Sequence, residues 1–202
     1  MPEDKECVGQ EPAPEAELIG GVEAPAIIVV PYRQEWTKAF GRHRERIAAA
    51  LGAEAVGIDH IGSTAVPGLA AKPIVDILLV VADSADEDSY LPAMERAGYA
   101  LRVREPDFEE HRMFRTPERD VHVHVLSVGS PEIERYLRLR DALRAAPFLR
   151  ARYQALKQNL AAQHWQDMNA YAQAKSKMIE TIIQWSRRTD PGGPQLAPGA
   201  KG

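Results

Sequence analysis

One short stretch of the sequence carries residues that could bind a phosphorylated ligand and a metal ion together. Gly62 lets the backbone approach a ligand closely, while Ser63 and Thr64 supply hydroxyl and N–H donors for phosphate oxygens. Lys72 adds a positive charge, and Asp76 lies in an otherwise apolar run, where an ionised carboxylate is costly unless it is paired or binds a metal. Because Mg²⁺ favours one or two carboxylates plus phosphates, the stretch predicts a site for a divalent ion and a nucleoside triphosphate. The alternative is an ordinary loop followed by an aspartate that caps a neighbouring element.

Two histidines alternate with valines further along the chain, over residues 121–125. The period of two places His122 and His124 on one face of a strand, where they could complete the site of Asp76. Imidazole in this position suits Zn²⁺, Mn²⁺ or proton transfer better than Mg²⁺, so we take His124 as a metal ligand and both histidines as catalytic candidates. The alternative is the solvent-facing side of an amphipathic strand. Glu109 and Glu110 could supply further carboxylates or belong to a solvated loop.

Basic residues of the C-terminal third form a second set of candidates. If the helices there cover the ends of the strands, Arg140, Lys157 and Lys175 would bind nucleotide phosphates, and otherwise they are exposed helix charges.

The elements that must position these residues follow from the hydrophobic periodicity. Trp36, Phe40, Ile47 and Leu51 share one helix face, and Ser130 precedes a proline and an acid as a typical helix start. Strands are predicted at 27–30, 56–61, 74–81, 99–104, 111–115 and 121–126, and helices at 34–51, 86–97, 132–145, 147–164 and 168–186. This order predicts an α+β fold, a mixed sheet with flanking helices and a helical C-terminal third.

Length and charge distribution suggest a single domain with two tails. The 202 residues carry a net charge of −4, but residues 1–24 hold seven acids against one lysine. We therefore predict a disordered acidic leader at 1–25, a domain at 26–188 that is slightly basic, and a flexible Pro- and Gly-rich tail at 189–202.

Several classes of protein are disfavoured by composition. The one cysteine excludes a disulfide framework and a multi-cysteine zinc site. No apolar run reaches the roughly 18 residues of a membrane helix, and no secretory signal is evident, so a cytoplasmic location is expected. A long basic stripe is also missing, which disfavours a nucleic-acid partner.

Residues 60–69 and 71–77 strongly resemble the signature of the GrpB family, which is related to the nucleotidyltransferase superfamily of aminoglycoside nucleotidyltransferases and DNA polymerase beta. The resemblance covers about residues 30–185. It includes Pro31-Tyr32 with Trp36, Gly98-Tyr99, His122–His124, Arg140-Asp141 with Leu143-Arg144, Tyr153 with Leu156-Lys157, and Tyr171 with Lys175.

The resemblance implies a nucleotidyltransferase-like sheet, with Gly62-Ser63 on the nucleotide phosphates. Superfamily members also carry two carboxylates at alternate strand positions that hold two divalent ions. This sequence keeps Asp76 but has Leu78 at the alternate position. Two functions therefore stay open. One is an enzyme that uses ATP or another nucleoside triphosphate and a divalent metal (Mg, Mn or Zn) to modify a small-molecule acceptor, or to activate it as an acyl-adenylate. The other is a nucleotide-binding module that has lost catalysis.

Overall fold

The computed structural model describes residues 16–19, 28–163 and 168–199. Within them, six strands form one sheet, and five α-helices pack around it. The strands are β1 (Glu17–Leu18), β2 (Gly57–Ile61), β3 (Val75–Val81), β4 (Ala100–Glu105), β5 (His111–Arg115) and β6 (Val121–Ser127). The helices are α1 (Glu35–Leu51), α2 (Leu91–Arg96), α3 (Pro131–Ala145), α4 (Pro147–Ala161) and α5 (Met168–Thr189). The predicted α+β class is confirmed.

The sheet is mixed, in the order β1-β4-β5-β6-β3-β2. The central pair β3 and β6 is parallel, and the other pairs are antiparallel. In the central pair, Asp76 lies opposite His122 and Leu78 lies opposite His124. Because directly paired residues point to the same face, this register brings the predicted site residues of two distant segments to one side of the sheet.

The two faces of the central strands differ in character. On one face Ile77, Leu79, Val123 and Val125 are buried in an apolar core under α1 and α2. The other face carries Asp76, His122 and His124 at the start of the strands, followed by Leu78, Val80 and Leu126 beneath residues of α3. The alternation predicted for 121–125 is confirmed, since the valines are buried and the histidines only partly so.

The helical third covers the loop that joins β2 to β3. Helix α3 begins as predicted, with the Ser130 hydroxyl accepting a hydrogen bond from the Glu132 N–H at 3.3 Å and Pro131 at the first helical position. Loop residues Val66 and Leu69 are fully buried against side chains of α3, α4 and α5. This packing fixes the loop that carries Gly62 and Ser63.

The predicted helix at 147–164 ends at Ala161, and residue 164 lies outside the described residues. Two other predicted elements are much reduced in the structure. The predicted helix at 86–97 is a 3₁₀ turn at Glu87–Ser89 followed by α2, because Pro92 lacks an N–H and fits only the first turn of a helix. Gly98 follows α2 with φ +87°, the left-handed conformation in which a glycine commonly ends a helix. The predicted strand at 27–30 is reduced to a bridge between Val30 and Ala71, since Pro31 cannot continue the pairing; residue 27 lies outside the described residues.

Parts of the predicted tails contact the edges of the sheet. Within the leader, β1 pairs with β4, and residues 1–15 and 20–27 lie outside the described residues. At the other end, Pro198 bridges to Gly57 of β2, and the Ala197 N–H donates to Asp59. Edge strands expose unpaired backbone groups, which these short segments satisfy. Among the described residues, no helix combines the length and the apolar composition that a membrane span requires.

Candidate functional site

Three side chains on the face covered by α3 form a potential metal centre. His122 Nδ1 lies 3.6 Å and His124 Nε2 lies 3.7 Å from the same oxygen, Oδ1 of Asp76. One ligand atom from each residue lies within 4.8 Å of the others. The Asp76 side chain is 29 % exposed, so the cluster is recessed but accessible.

The spacing of these atoms fits ligands around one ion. Nitrogen-to-oxygen distances of 3.6 and 3.7 Å are too long for good hydrogen bonds. Ligand atoms about 2.1 Å from a shared tetrahedral zinc ion are about 3.4 Å apart, close to the observed values. Two imidazoles and one carboxylate suit Zn²⁺ or another transition-metal ion better than Mg²⁺, which prefers oxygen ligands.

The protonation state of the carboxylate also favours a cation. Burial alone would raise the pKa of Asp76, but the His122 and His124 imidazoles, when they carry a proton, outweigh this effect and hold the pKa below its ordinary value. Asp76 is therefore an anion at neutral pH.

Gly62 contacts this carboxylate so closely that no other residue fits without a shift. A Cβ on Gly62 would lie 2.4 Å from Oδ2 of Asp76. The backbone has φ +68° and ψ −170°, a region that is almost restricted to glycine. The loop backbone is thus placed directly beside Asp76.

Three lysines lie within electrostatic range of the carboxylate. Lys72, Lys157 and Lys175 all interact electrostatically with Asp76. Burial, followed by repulsion from Lys175, lowers the pKa of Lys157 to about 7, and burial lowers the pKa of Lys175 to about 8. An anionic ligand such as phosphate would reduce the electrostatic repulsion among these cations.

Lys157 is tied directly to the Gly-Ser loop. Its Nζ donates to Ser63 Oγ at 2.9 Å and to the Ala70 carbonyl, and it lies 5.0 Å from the centre of the Tyr153 ring. The structure therefore brings Gly62, Ser63 and Lys157 together beside Asp76. Lys72 and Lys175 lie within electrostatic range of the same group.

Thr64 is placed differently from the other loop residues. Its side chain is buried, and its hydroxyl lies 3.1 Å from His60 Nε2. His60 stacks on Phe40, with ring centroids 4.8 Å apart, and burial lowers the pKa of His60 to about 4. The Thr64 hydroxyl therefore anchors the loop, and we do not include it among the groups that face the ligand.

Arg140, predicted to bind phosphate, is engaged elsewhere in the protein. Its guanidinium donates to Asp59 Oδ1 at 2.7 Å, to the His60 carbonyl at 3.2 Å, and to both carboxylate oxygens of Asp141. Arg140 and Asp59 are almost fully buried, so this ion pair joins α3 to β2. A cation that is held by two carboxylates is a poor phosphate ligand, and its place in the structure is that of a structural residue.

The acidic residues considered as additional ligands do not join the cluster. Glu110 pairs with Arg112 at 3.2 Å, and neither it nor Glu109 belongs to the metal-ligand group found among the described residues. Leu78 is fully buried on the same face as Asp76. The cluster therefore has one carboxylate and two imidazoles.

Sequence reasoning missed a fourth residue, His111 of β5. Its Nε2 lies 3.0 Å from His124 Nδ1, and its Nδ1 lies 2.6 Å from Glu105 Oε2. The sequence signal is weak, because the contact depends on the register between β5 and β6, which places Met113 opposite His124 and His111 two positions away.

The architecture of the sheet and helices is shared with solved structures. The sheet, the Gly-Ser loop and the helical third form a nucleotidyltransferase-like α+β fold. The solved structure of the GLD-2/RNP-8 complex is 12% identical to this chain, with a TM-score of 0.50. The match covers 78% of this chain and 61% of that chain, and it shows likeness of fold alone.

The family is shown by sequence. The family model described as "GrpB protein" matches residues 26–185, and the chain belongs to this family. The UPF0157 protein BH1888 of Halalkalibacterium halodurans is 48% identical over 164 residues, which are 81% of this chain and 84% of that protein. The crystal structure of GrpB from Enterococcus faecalis is 31% identical with a TM-score of 0.69, and covers 80% of this chain and 98% of that one. The predicted membership of the GrpB family is confirmed, and the likeness to nucleotidyltransferases is shown at the level of the fold.

Proposed function

We propose that this protein transfers a nucleotidyl group from ATP or another nucleoside triphosphate to a small-molecule acceptor, or activates a carboxylate of that acceptor as an acyl-adenylate. A divalent ion held by Asp76, His122 and His124 would serve the reaction. One observation carries the proposal: a site with metal-ligand spacing lies against a glycine-serine loop, within electrostatic range of three lysines. The nucleotidyltransferase-like fold supports the same reaction class.

The phosphate groups would bind on the side of the lysines. Lys157, already bonded to Ser63, would place a cation and a hydroxyl next to the same phosphate. Lys72 and Lys175 would add charge around it. When bound, a divalent ion would neutralise charge on the phosphate oxygens and on the leaving pyrophosphate.

In the transfer step, a hydroxyl, amine or carboxylate oxygen of the acceptor forms a bond to the α-phosphorus, and the bond to pyrophosphate breaks. A hydroxyl or amine acceptor must lose a proton. His122 has two possible roles, as third metal ligand or as the base that takes this proton. A His122→Ala variant distinguishes them, because loss of a ligand lowers metal affinity, whereas loss of a base lowers turnover with metal affinity retained.

A specific observation favours a second candidate function, nucleotide binding without catalysis. Leu78 occupies the position at which the family resemblance implies a second carboxylate, and it is fully buried on the site's face of the sheet. A reaction that relies on two metal ions would be severely weakened by this residue.

The decisive experiment uses the purified full chain with each nucleoside triphosphate, with and without Mg²⁺, Mn²⁺ or Zn²⁺. We expect the metal alone to raise the melting temperature, nucleotide to raise it further only when the metal is present, and pyrophosphate to be released with members of an acceptor panel. Metal-dependent binding without release across a broad panel would favour the non-catalytic module. An unchanged melting temperature with every nucleotide would contradict both functions.

Two matched variants control this experiment. Asp76→Asn should abolish the metal-dependent shift, while Asp88→Asn makes the same chemical change at an exposed position in the 3₁₀ turn and should leave it intact. Full metal-dependent binding by Asp76→Asn would show that the site is assigned to the wrong residues.

A further inference from the structure

A line of three side chains leads away from the proposed metal centre and ends at a carboxylate. His124 Nδ1 lies 3.0 Å from His111 Nε2, and His111 Nδ1 lies 2.6 Å from Glu105 Oε2. His111 is only 5 % exposed, so water does not compete strongly for these contacts. The other nitrogen of His124, Nε2, faces Asp76.

The two imidazole rings meet edge to edge. Their planes differ by 18°, and their centroids are 5.2 Å apart. The difference between this centroid separation and the 3.0 Å nitrogen-to-nitrogen distance nearly equals the sum of the two ring radii. Both nitrogens therefore lie close to the line that joins the ring centres. The rings are therefore almost coplanar and end to end, so that the lone pair of one nitrogen points along the N–H bond of the other.

Hydrogen-bond chemistry sets a direction along this line. An ionised Glu105 carboxylate only accepts, so His111 Nδ1 must carry the hydrogen. In a neutral His111, Nε2 is then an acceptor, and His124 Nδ1 must be the donor. A neutral His124 consequently presents the bare lone pair of Nε2 to the side of Asp76.

We propose that Glu105 and His111 are positioning residues that hold His124 as its Nδ1–H tautomer, with Nε2 ready to bind a transition-metal ion such as zinc. A bare nitrogen lone pair directed at a carboxylate oxygen is repulsive unless a cation lies between them, and an ion between Nε2 and Oδ1 satisfies both. The inference rests on the proposed metal site but not on the transfer reaction.

The test uses two substitutions of His111 in the full chain. In His111→Gln, the amide oxygen can accept from His124 Nδ1 and the amide nitrogen can donate to Glu105, so the hydrogen-bond direction is kept. His111→Leu fills a comparable volume but can do neither. We expect zinc affinity to fall 10- to 100-fold in His111→Leu and no more than about 3-fold in His111→Gln, consistent with the usual effect of removing an outer-shell partner.

Zinc affinity would be measured by competition with a chromophoric chelator, without nucleotide, and folding would be followed by circular dichroism. Glu118→Gln, an exposed change in the turn before β6, is the control and should bind zinc as the wild type does. Nitrogen-15 NMR of the metal-free protein should show the Nδ1–H tautomer of His124 in wild type and His111→Gln, and its loss in His111→Leu. This readout remains informative if His111→Leu is less stable.

Equal zinc affinities in the Leu and Gln variants, or an Nε2–H tautomer of His124 in the wild type, would overturn the positioning role. These outcomes are separate from a failure of the proposed function. A wild-type protein that binds zinc through this line of residues, but neither binds nor turns over nucleotides, would refute the transfer reaction and leave the inference intact.

Discussion

Two charged clusters lie on the same face of the sheet and differ in how completely they are satisfied. Asp59 accepts from Arg140 at 2.7 Å and from the Ala197 N–H at 2.7 Å, and its side chain is almost fully buried. Asp76 has its two histidine neighbours at 3.6 and 3.7 Å and is more exposed. Hydrogen bonds satisfy the carboxylate of the first cluster, Asp59 with Arg140, which we call the closed cluster. The second, Asp76 with its histidines and nearby lysines, leaves space between its polar atoms, and we call it the open cluster.

This difference separates a structural role from a binding role. A buried ion pair with short hydrogen bonds has few free donors or acceptors for a ligand. Removing one partner leaves the other buried without a compensating charge. The recessed carboxylate of Asp76 is different, because its distances to the imidazole nitrogens match those between ligands of one metal ion. It can therefore still bind a cation. The comparison therefore assigns Arg140 to the stability of the fold and Asp76 to the site.

The largest expected effect comes from breaking the closed cluster. Arg140→Met should lower the free energy of unfolding by about 3–5 kcal/mol, because it leaves Asp59 buried without its charged partner. Urea unfolding of the metal-free protein would measure this loss. The fraction that stays folded should bind zinc within about 3-fold of wild type, and a much larger loss of zinc affinity would show that Arg140 belongs to the site.

Gly62→Ala should affect the open cluster instead. The added Cβ would collide with Asp76 Oδ2, and the backbone conformation would be strained, so we expect a loss of about 2–3 kcal/mol in stability and at least 10-fold in zinc affinity. Gly68→Ala is the matched control, since Gly68 also has positive φ but no atom lies within 4 Å of an added Cβ. It should cost about 1 kcal/mol in stability and leave zinc binding unchanged. Equal zinc affinities in the two variants would contradict the close contact.

His60, which contacts both Arg140 and the loop between β2 and β3, should give the protein a pH-dependent stability. The carbonyl of His60 accepts from Arg140, and its ring contacts Thr64 of the loop. Its pKa is about 4 in the folded protein against 6.5 ordinarily, so the unfolded chain binds the proton more readily and stability falls as pH decreases through this window. Between pH 7 and pH 5 we expect His60 to account for a loss of about 2 kcal/mol.

Urea unfolding of wild type and His60→Gln at both pH values would isolate this contribution, because the other titrating groups are shared. The variant should lose less stability on acidification. Identical losses in the two proteins would argue that His60 is not buried in its neutral form.

The smallest change in free energy is expected when a lysine proposed to bind the nucleotide phosphates is replaced. Lys157→Gln should weaken metal-dependent nucleotide binding about 10-fold, or about 1.4 kcal/mol, because it removes the cation that is bonded to Ser63. Zinc affinity without nucleotide should stay within about 3-fold of wild type. Lys177→Gln, on the exposed surface of α5, controls for the loss of a charge. Equal nucleotide affinities in both variants would remove Lys157 from the proposed site.

The sequence predicts the features of the fold that depend on local pattern. The alternation at 121–125 places both histidines on one face, and the apolar run at 74–81 predicts the central strand that carries Asp76. Ser130 and Pro131 mark the start of α3. In each case the residues that determine the outcome are neighbours in the chain.

Contacts between distant segments could not be predicted in this way. Arg140 and Asp59 are 81 residues apart, and their pairing depends on how α3 crosses β2. The contact of His111 with His124 depends on a register between strands that hydrophobic alternation leaves open. The direction of the Thr64 side chain likewise follows from the turn of the loop over His60, which the residue types alone do not determine.

The most direct test of the account is calorimetric titration of the metal-free full chain with Zn²⁺ and with Mn²⁺, beside Asp76→Asn. We predict that the wild type binds one ion per chain and that Asp76→Asn, although folded, binds at least 100-fold more weakly. A wild type that binds neither ion, or an Asp76→Asn variant with undiminished affinity, would contradict the claim that Asp76, His122 and His124 form a metal site.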